Sequence, residues 1–180
     1  SENLDRLSDK VRLGALDLLL VKPVNSQFMM SLQRISTAYL GNIALALGWL
    51  IWSLSQLPGE IPWPRLLLLV FLIPCALTIS YSLRFFFSAS AVIFTRAESI
   101  TYLWYQIMRL GTRPDTFYPP WLRYLILTVL PVGFLASVPA RMILETPDVL
   151  LLGASIGLAG LTLFLSTRYW RFALKFYASA

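Results

Sequence analysis

Four stretches of this chain carry no charged residue and are long enough to cross a bilayer: 35–59, 66–83, 124–140 and 149–167. They run for about 25, 18, 17 and 19 residues, against the roughly 20 that a helix needs to traverse the hydrocarbon core. Each predicts a membrane helix. The third is the shortest and holds Pro131, Gly133 and Pro139, which predicts a span bent near its middle and broken near its end. The second continues past Arg84 into Phe85, Phe86 and Phe87. Arg84 is expected to extend its guanidinium to the headgroups rather than to act as a buried functional charge.

Between the runs the pattern changes period. Ile100, Leu103, Trp104, Ile107 and Met108 recur at three- and four-residue spacing, with Glu98, Gln106 and Arg109 off that stripe. This predicts an amphipathic helix over 98–111, ended by Gly111 and Pro114 and lying along the inner membrane surface. Ahead of the first run, Leu16, Leu18, Leu19 and Val21 form an apolar cluster interrupted by Asp17, and Pro23 blocks a helical continuation through Lys22. Ser26 is placed to cap a following helix that carries Phe28 and Met29. The segment therefore predicts a short apolar elbow at a membrane surface, within a cytoplasmic region over 1–34.

Charge turns these runs into a topology. Thirteen of the 15 basic residues fall before the first run, between the second and third, or after the fourth; the other two connections hold only Arg65 and Arg141. Cytoplasmic loops are the ones enriched in Lys and Arg, so both ends of this chain are expected in the cytoplasm. Trp63 then lies outside, and Tyr118, Trp121 and Tyr124 mark the inner interface.

Composition agrees and removes most chemistry. The 180 residues are 57% hydrophobic, with a mean hydropathy of +0.68, which is membrane composition. The net charge of +6 is not arranged as a basic run interleaved with stacking aromatics, so no nucleic-acid partner is expected. There is no histidine, and Cys75 stands alone inside an apolar run, which removes a disulfide framework and the commonest metal ligand. No catalytic, cofactor or metal site is predicted. Asp17, Glu60, Glu98, Asp115, Glu145 and Asp148 all fall outside the four runs, so no embedded carboxylate pair is expected to relay protons. A phosphate-binding glycine loop is absent as well. In the last run Gly153 and Gly157 suggest a small-residue face for helix packing.

Several pieces together resemble the permease subunits of type-2 ABC exporters. They are Gly14 through Val24, Tyr118 through Tyr124 around Trp121 and Arg123, Pro131 through Phe134, Val138 through Arg141, and Trp170 through Ala180. The resemblance implies an all-α membrane fold of six spans, of which this chain is similar to the last four, with the first two expected before Ser1. It also implies a separate ATPase subunit that binds ATP and Mg, a second permease subunit as homo- or heterodimer, and the bacterial cytoplasmic membrane as location. In that scheme the elbow is the ATPase contact, through Leu16, Asp17, Leu18, Leu19, Lys22, Pro23 and Val24. Pro131, Gly133, Pro139 and Arg141 would belong to a helix break or re-entrant segment, with 139–148 as the matching place.

The implied function is export of an unidentified, amphipathic substrate, driven by ATP hydrolysis on the partner. A non-transporting membrane scaffold that recruits a cytoplasmic partner is the alternative that the residues leave open. A membrane-embedded transferase is disfavoured, because no general acid and base pair is available.

Overall fold

A computed structural model describes residues 26–31, 37–57, 62–93 and 97–176. The described residues form seven α-helices: α1 (Ser26–Ser31), α2 (Ala38–Ser55), α3 (Trp63–Ile93), α4 (Ala97–Gly111), α5 (Pro120–Thr128), α6 (Gly133–Leu144) and α7 (Val149–Ala173). Short 3-10 turns follow α4 and α7, at Asp115–Phe117 and Leu174–Phe176.

Among the described residues two helices, where four were expected, are individually long and apolar enough to cross a membrane: α3, with 31 residues, and α7, with 25. The 35–59 run yields a helix of 18 residues, α2. It is apolar but below membrane length over the residues that are fully described. The 124–140 run is not one span. It divides into α5 and α6, whose axes are bent by 101°. The physical reason lies in residues 129–133, where Pro131 removes a backbone donor and Gly133 lets the start of α6 fold against α5. A Cβ on Gly133 would lie 2.7 Å from the Leu127 Cδ2 and 3.3 Å from the Ile126 carbonyl. Within α6 the helix runs unbroken through Pro139.

The long helices form because nothing stops them until their caps. At the start of α7 the Asp148 carboxylate accepts a 2.8 Å hydrogen bond from the Leu150 N–H, satisfying one of the orphan donors of a helix start. In α3 the only interior breaker is Pro74. Its ring deprives the helix of a single donor, a loss tolerated where neighbouring helices support the backbone.

α3 and α7 pack along each other in the same direction, so both begin at one end of the bundle and finish at the other. Near the starting end, Leu72 and Ile79 of α3 join Ala159 of α7 and Phe134, Val138 and Met142 of α6 in one apolar cluster. Toward the far end, Phe85, Ala89 and Val92 meet Trp170 and Ala173, with Met30 of α1 closing the cluster. Phe85 and Trp170 cross edge to face with centroids 5.3 Å apart, and Phe86 stacks on Tyr169 at 4.1 Å. The packed side of α7 is made by Ser155, Ala159, Ser166, Trp170 and Ala173. The face anticipated through Gly153 and Gly157 is not the one used, since a Cβ at either glycine would meet nothing within 4 Å.

α4 doubles back along α3. Its Trp104 is buried against Phe87, with the Arg84 guanidinium 5.7 Å from the indole centroid. The helix ends where Gly111 meets the turn before α6; a Cβ there would press to 3.0 Å from the Val132 carbonyl oxygen. α6 runs against the direction of α3, as the Arg65 guanidinium near the start of α3 donates to the Ile143 carbonyl at 3.1 Å.

Candidate functional site

Two junctions hold this bundle together through polar groups, and each is a candidate for function. The first is built around Asp115. Gly111 brings the end of α4 against Val132, so the following loop is delivered to the flank of α6. Tyr118 donates its hydroxyl to the Leu110 carbonyl at 3.0 Å, tying the far side of that loop back onto α4. The Asp115 carboxylate is then 1% exposed. Its backbone N–H donates to the Ser137 hydroxyl oxygen at 3.2 Å, and its Oδ2 accepts from the Arg123 Nε at 2.8 Å and from the Arg141 Nη2. The side chains of Arg123 and Arg141 are 41% and 20% exposed. One buried carboxylate therefore faces two cations, leaving the triad with a formal charge of +1.

This triad explains the bend. Arg123 lies in the first turn of α5 and Arg141 in the last turn of α6, yet both reach the same oxygen. The charge pattern had put them on opposite sides of a span. By their lengths of 9 and 12 residues, the two helices extend only about 14 and 18 Å, so the pair dips into the bundle and comes back. Its apex, residues 128–131, reaches the level of Ser82 to Phe87 on α3 and lines a cavity of about 240 Å³ with Leu158, Thr162 and Ser166 of α7. Ser82 lines that cavity, its hydroxyl buried and without a hydrogen-bond partner among the described residues.

The second junction fixes α1. The Trp170 indole N–H donates to the Ser26 hydroxyl at 2.9 Å, and the Gln27 amide donates to the Ser166 hydroxyl at 3.4 Å. The Ser31 and Tyr81 hydroxyls share a 2.7 Å hydrogen bond. A six-residue helix is too short to be stable alone. It is held by these bonds and by Met30, which is fully buried among Phe85, Ala89 and Trp170.

Of the residues singled out from sequence, Leu16, Asp17, Leu18, Leu19, Lys22, Pro23 and Val24 lie outside the described residues. Pro131 and Gly133 sit at the α5–α6 turn, Pro139 inside α6, and Arg141 on the Asp115 carboxylate. Sequence reasoning placed Asp115 only outside the apolar runs, in the inner connection, whereas it is buried and bonded to residues of α5 and α6. Ser137 and Gly111 were not connected to it. The available signal was one acidic residue flanked by Arg113 and Arg123, and nothing in that spacing reports a partner 26 positions away.

A family model described as ABC-2 family transporter protein matches residues 1–180. The chain belongs to the ABC-2 transporter family. No curated protein and no solved structure matches it. ABC-2 membrane proteins are non-catalytic permease components, so this chain is not an enzyme. It is a helical, membrane-embedded member of an ABC-2 transporter family, and that membership implies association with an ATPase partner.

Proposed function

We propose that this chain is the permease part of an ATP-driven exporter that moves an amphipathic substrate outward across the bacterial cytoplasmic membrane. The 14–24 segment is then the contact for the ATPase, through Leu16, Leu18 and Leu19 with Asp17 and Lys22 at its edges. Both chain ends face the cytoplasm, and a second permease subunit completes the conduit.

The observation that carries this reading is the α1 junction. The helix that begins at Ser26, two residues beyond the elbow, is bonded at once to α3 through Tyr81 and to α7 through Ser166 and Trp170. A force applied to the elbow is thereby delivered to both membrane-length helices. A scaffold that only recruits a partner has no need for that connection.

The test is an affinity purification of the complete permease from native membranes in mild detergent, with bound proteins identified by mass spectrometry. An ABC-type ATPase is expected in the wild-type sample and lost on Leu18→Asp, because a charge placed in a desolvated contact has no compensating partner. Transport is expected to fall at least tenfold in that variant while membrane insertion is unchanged. Full transport by Leu18→Asp, or no ATPase under conditions that preserve a known permease complex, would reject the assignment in favour of the scaffold.

A further inference from the structure

Beside the Asp115 triad, on the side away from the α3 core, a cavity of about 310 Å³ opens between the loop after α4 and the last turns of α6. Four charged residues line it: Arg113, Asp115, Arg141 and Glu145. Asp115 is consumed by its two arginines. Arg141 gives it one nitrogen, and a guanidinium carries five N–H donors, so donors remain for an occupant. Arg113 and Glu145 line the same cavity, and among the described residues neither is joined to any group by an ion pair. The Glu145 backbone N–H donates to the Arg141 carbonyl at 2.7 Å, which fixes the acidic residue just beyond the helix end.

The cavity thus offers an entering molecule two cationic groups and one separate anionic group. A plain anion would be drawn by Arg113 and Arg141 and opposed by Glu145; a plain cation would meet the reverse. A group that carries both charges satisfies all three. The surroundings say what bears it. Leu144 is on the cavity wall and 61% exposed, and Ala140 and Ala136, successively nearer the apex of the α5–α6 pair, line the same wall and are exposed. This apolar strip suits acyl chains, and Trp121, in the first turn of α5 after the cavity loop, is an exposed aromatic of the kind favoured at headgroup depth.

We infer that this cavity binds the headgroup of a zwitterionic aminophospholipid, its phosphate between Arg113 and Arg141 and its ammonium at Glu145. Arginine suits the first role because its planar fork matches phosphate oxygens. The lipid enters from the end of the bundle where α3 and α7 begin, and its chains run inward from Leu144 past Ala140 and Ala136. The inference stands independently of the ATPase reading, since it concerns only the α4–α6 rim.

The experiment uses the full-length permease in nanodiscs of phosphatidylethanolamine, phosphatidylglycerol and phosphatidylcholine in equal amounts, followed by native mass spectrometry of retained lipid. The wild type is expected to retain phosphatidylethanolamine several-fold over the other two. Arg113→Gln should reduce retention of both phosphatidylethanolamine and phosphatidylglycerol several-fold. Glu145→Gln should keep the phosphate lipids and shift preference toward phosphatidylglycerol. Both residues are exposed and outside the Asp115 ion pairs, so matching tryptophan fluorescence in the variants separates binding from misfolding. Retention without headgroup preference in the wild type, or wild-type behaviour in both variants, overturns the inference. Saturable binding of soluble phosphoethanolamine in a protein that shows no lipid preference overturns the lipid as source.

Discussion

The α3–α7 pair and the α4–α6 rim are both helical, yet they are held by different physics. α3 and α7 pack over a long apolar seam with aromatic crossings such as Phe85 on Trp170. Many small contacts share that load, and each seam residue sees several partners. α6 shares that seam through Phe134, Val138 and Met142, but the loop after α4 and the α5 arm are fastened to it at a few points: one carboxylate between two arginines, one serine on a backbone N–H, and two glycines that permit close approach. A seam degrades gradually when it is altered, whereas a rim with few fasteners should come apart at one of them.

The comparison can be broken from either side. Phe85→Ala empties a fully buried site in the seam and should cost about 3–5 kcal/mol. An SDS titration followed by circular dichroism should show a lower midpoint, with α1 released because Met30 loses its wall. Asp115→Ala leaves two arginines without their shared anion and should cost about 3 kcal/mol, a figure set at the low end because Arg123 is well exposed. Its signature is local. Limited proteolysis should cut near 112–131 first, while the α3–α7 signal persists. Uniform loss of all helices at once would mean that rim and seam are one cooperative unit.

Smaller changes sharpen the same contrast. Gly111→Ala places a Cβ against the Val132 carbonyl, which is backbone and cannot swing aside, so about 1–3 kcal/mol is expected. It should open the rim in the manner of Asp115→Ala, with the same proteolytic pattern. Gly157→Ala, on the face of α7 that meets nothing within 4 Å, should change stability in the same SDS titration by less than about 0.5 kcal/mol. A large effect there would reveal a contact supplied by another chain.

Hydropathy made the seam legible because the property that drives its helices is the one counted along the chain. α3 and α7 appear as long uncharged runs, and α4 as a three-and-four periodicity. Three features escaped for physical reasons. The 124–140 run has the composition of a span, and composition does not report that Arg123 and Arg141 converge on one carboxylate. The packed side of α7 uses Ser155, Ala159 and Trp170, and a choice between two faces of a helix apolar all round depends on its neighbours. Asp115 falls outside the apolar runs, and its place along the chain does not report the tertiary contacts that bring two cations to it and bury it. The elbow at 14–24 was legible as an apolar segment with a proline stop, and it lies outside the described residues.

Ribosomal synthesis delivers the Asp115 triad in a fixed order. The carboxylate emerges first and Arg123 eight positions later, so the earliest pairing is neutral and available within a single short segment. Arg141 follows 18 positions after that, at ordinary elongation rates about 1–4 s later. For that interval the α5 arm has its charge compensated but nothing to fold against. The dip into the bundle closes only when the last arginine arrives, which makes Arg141 the latch of biogenesis and Asp115 the keeper that waits for it.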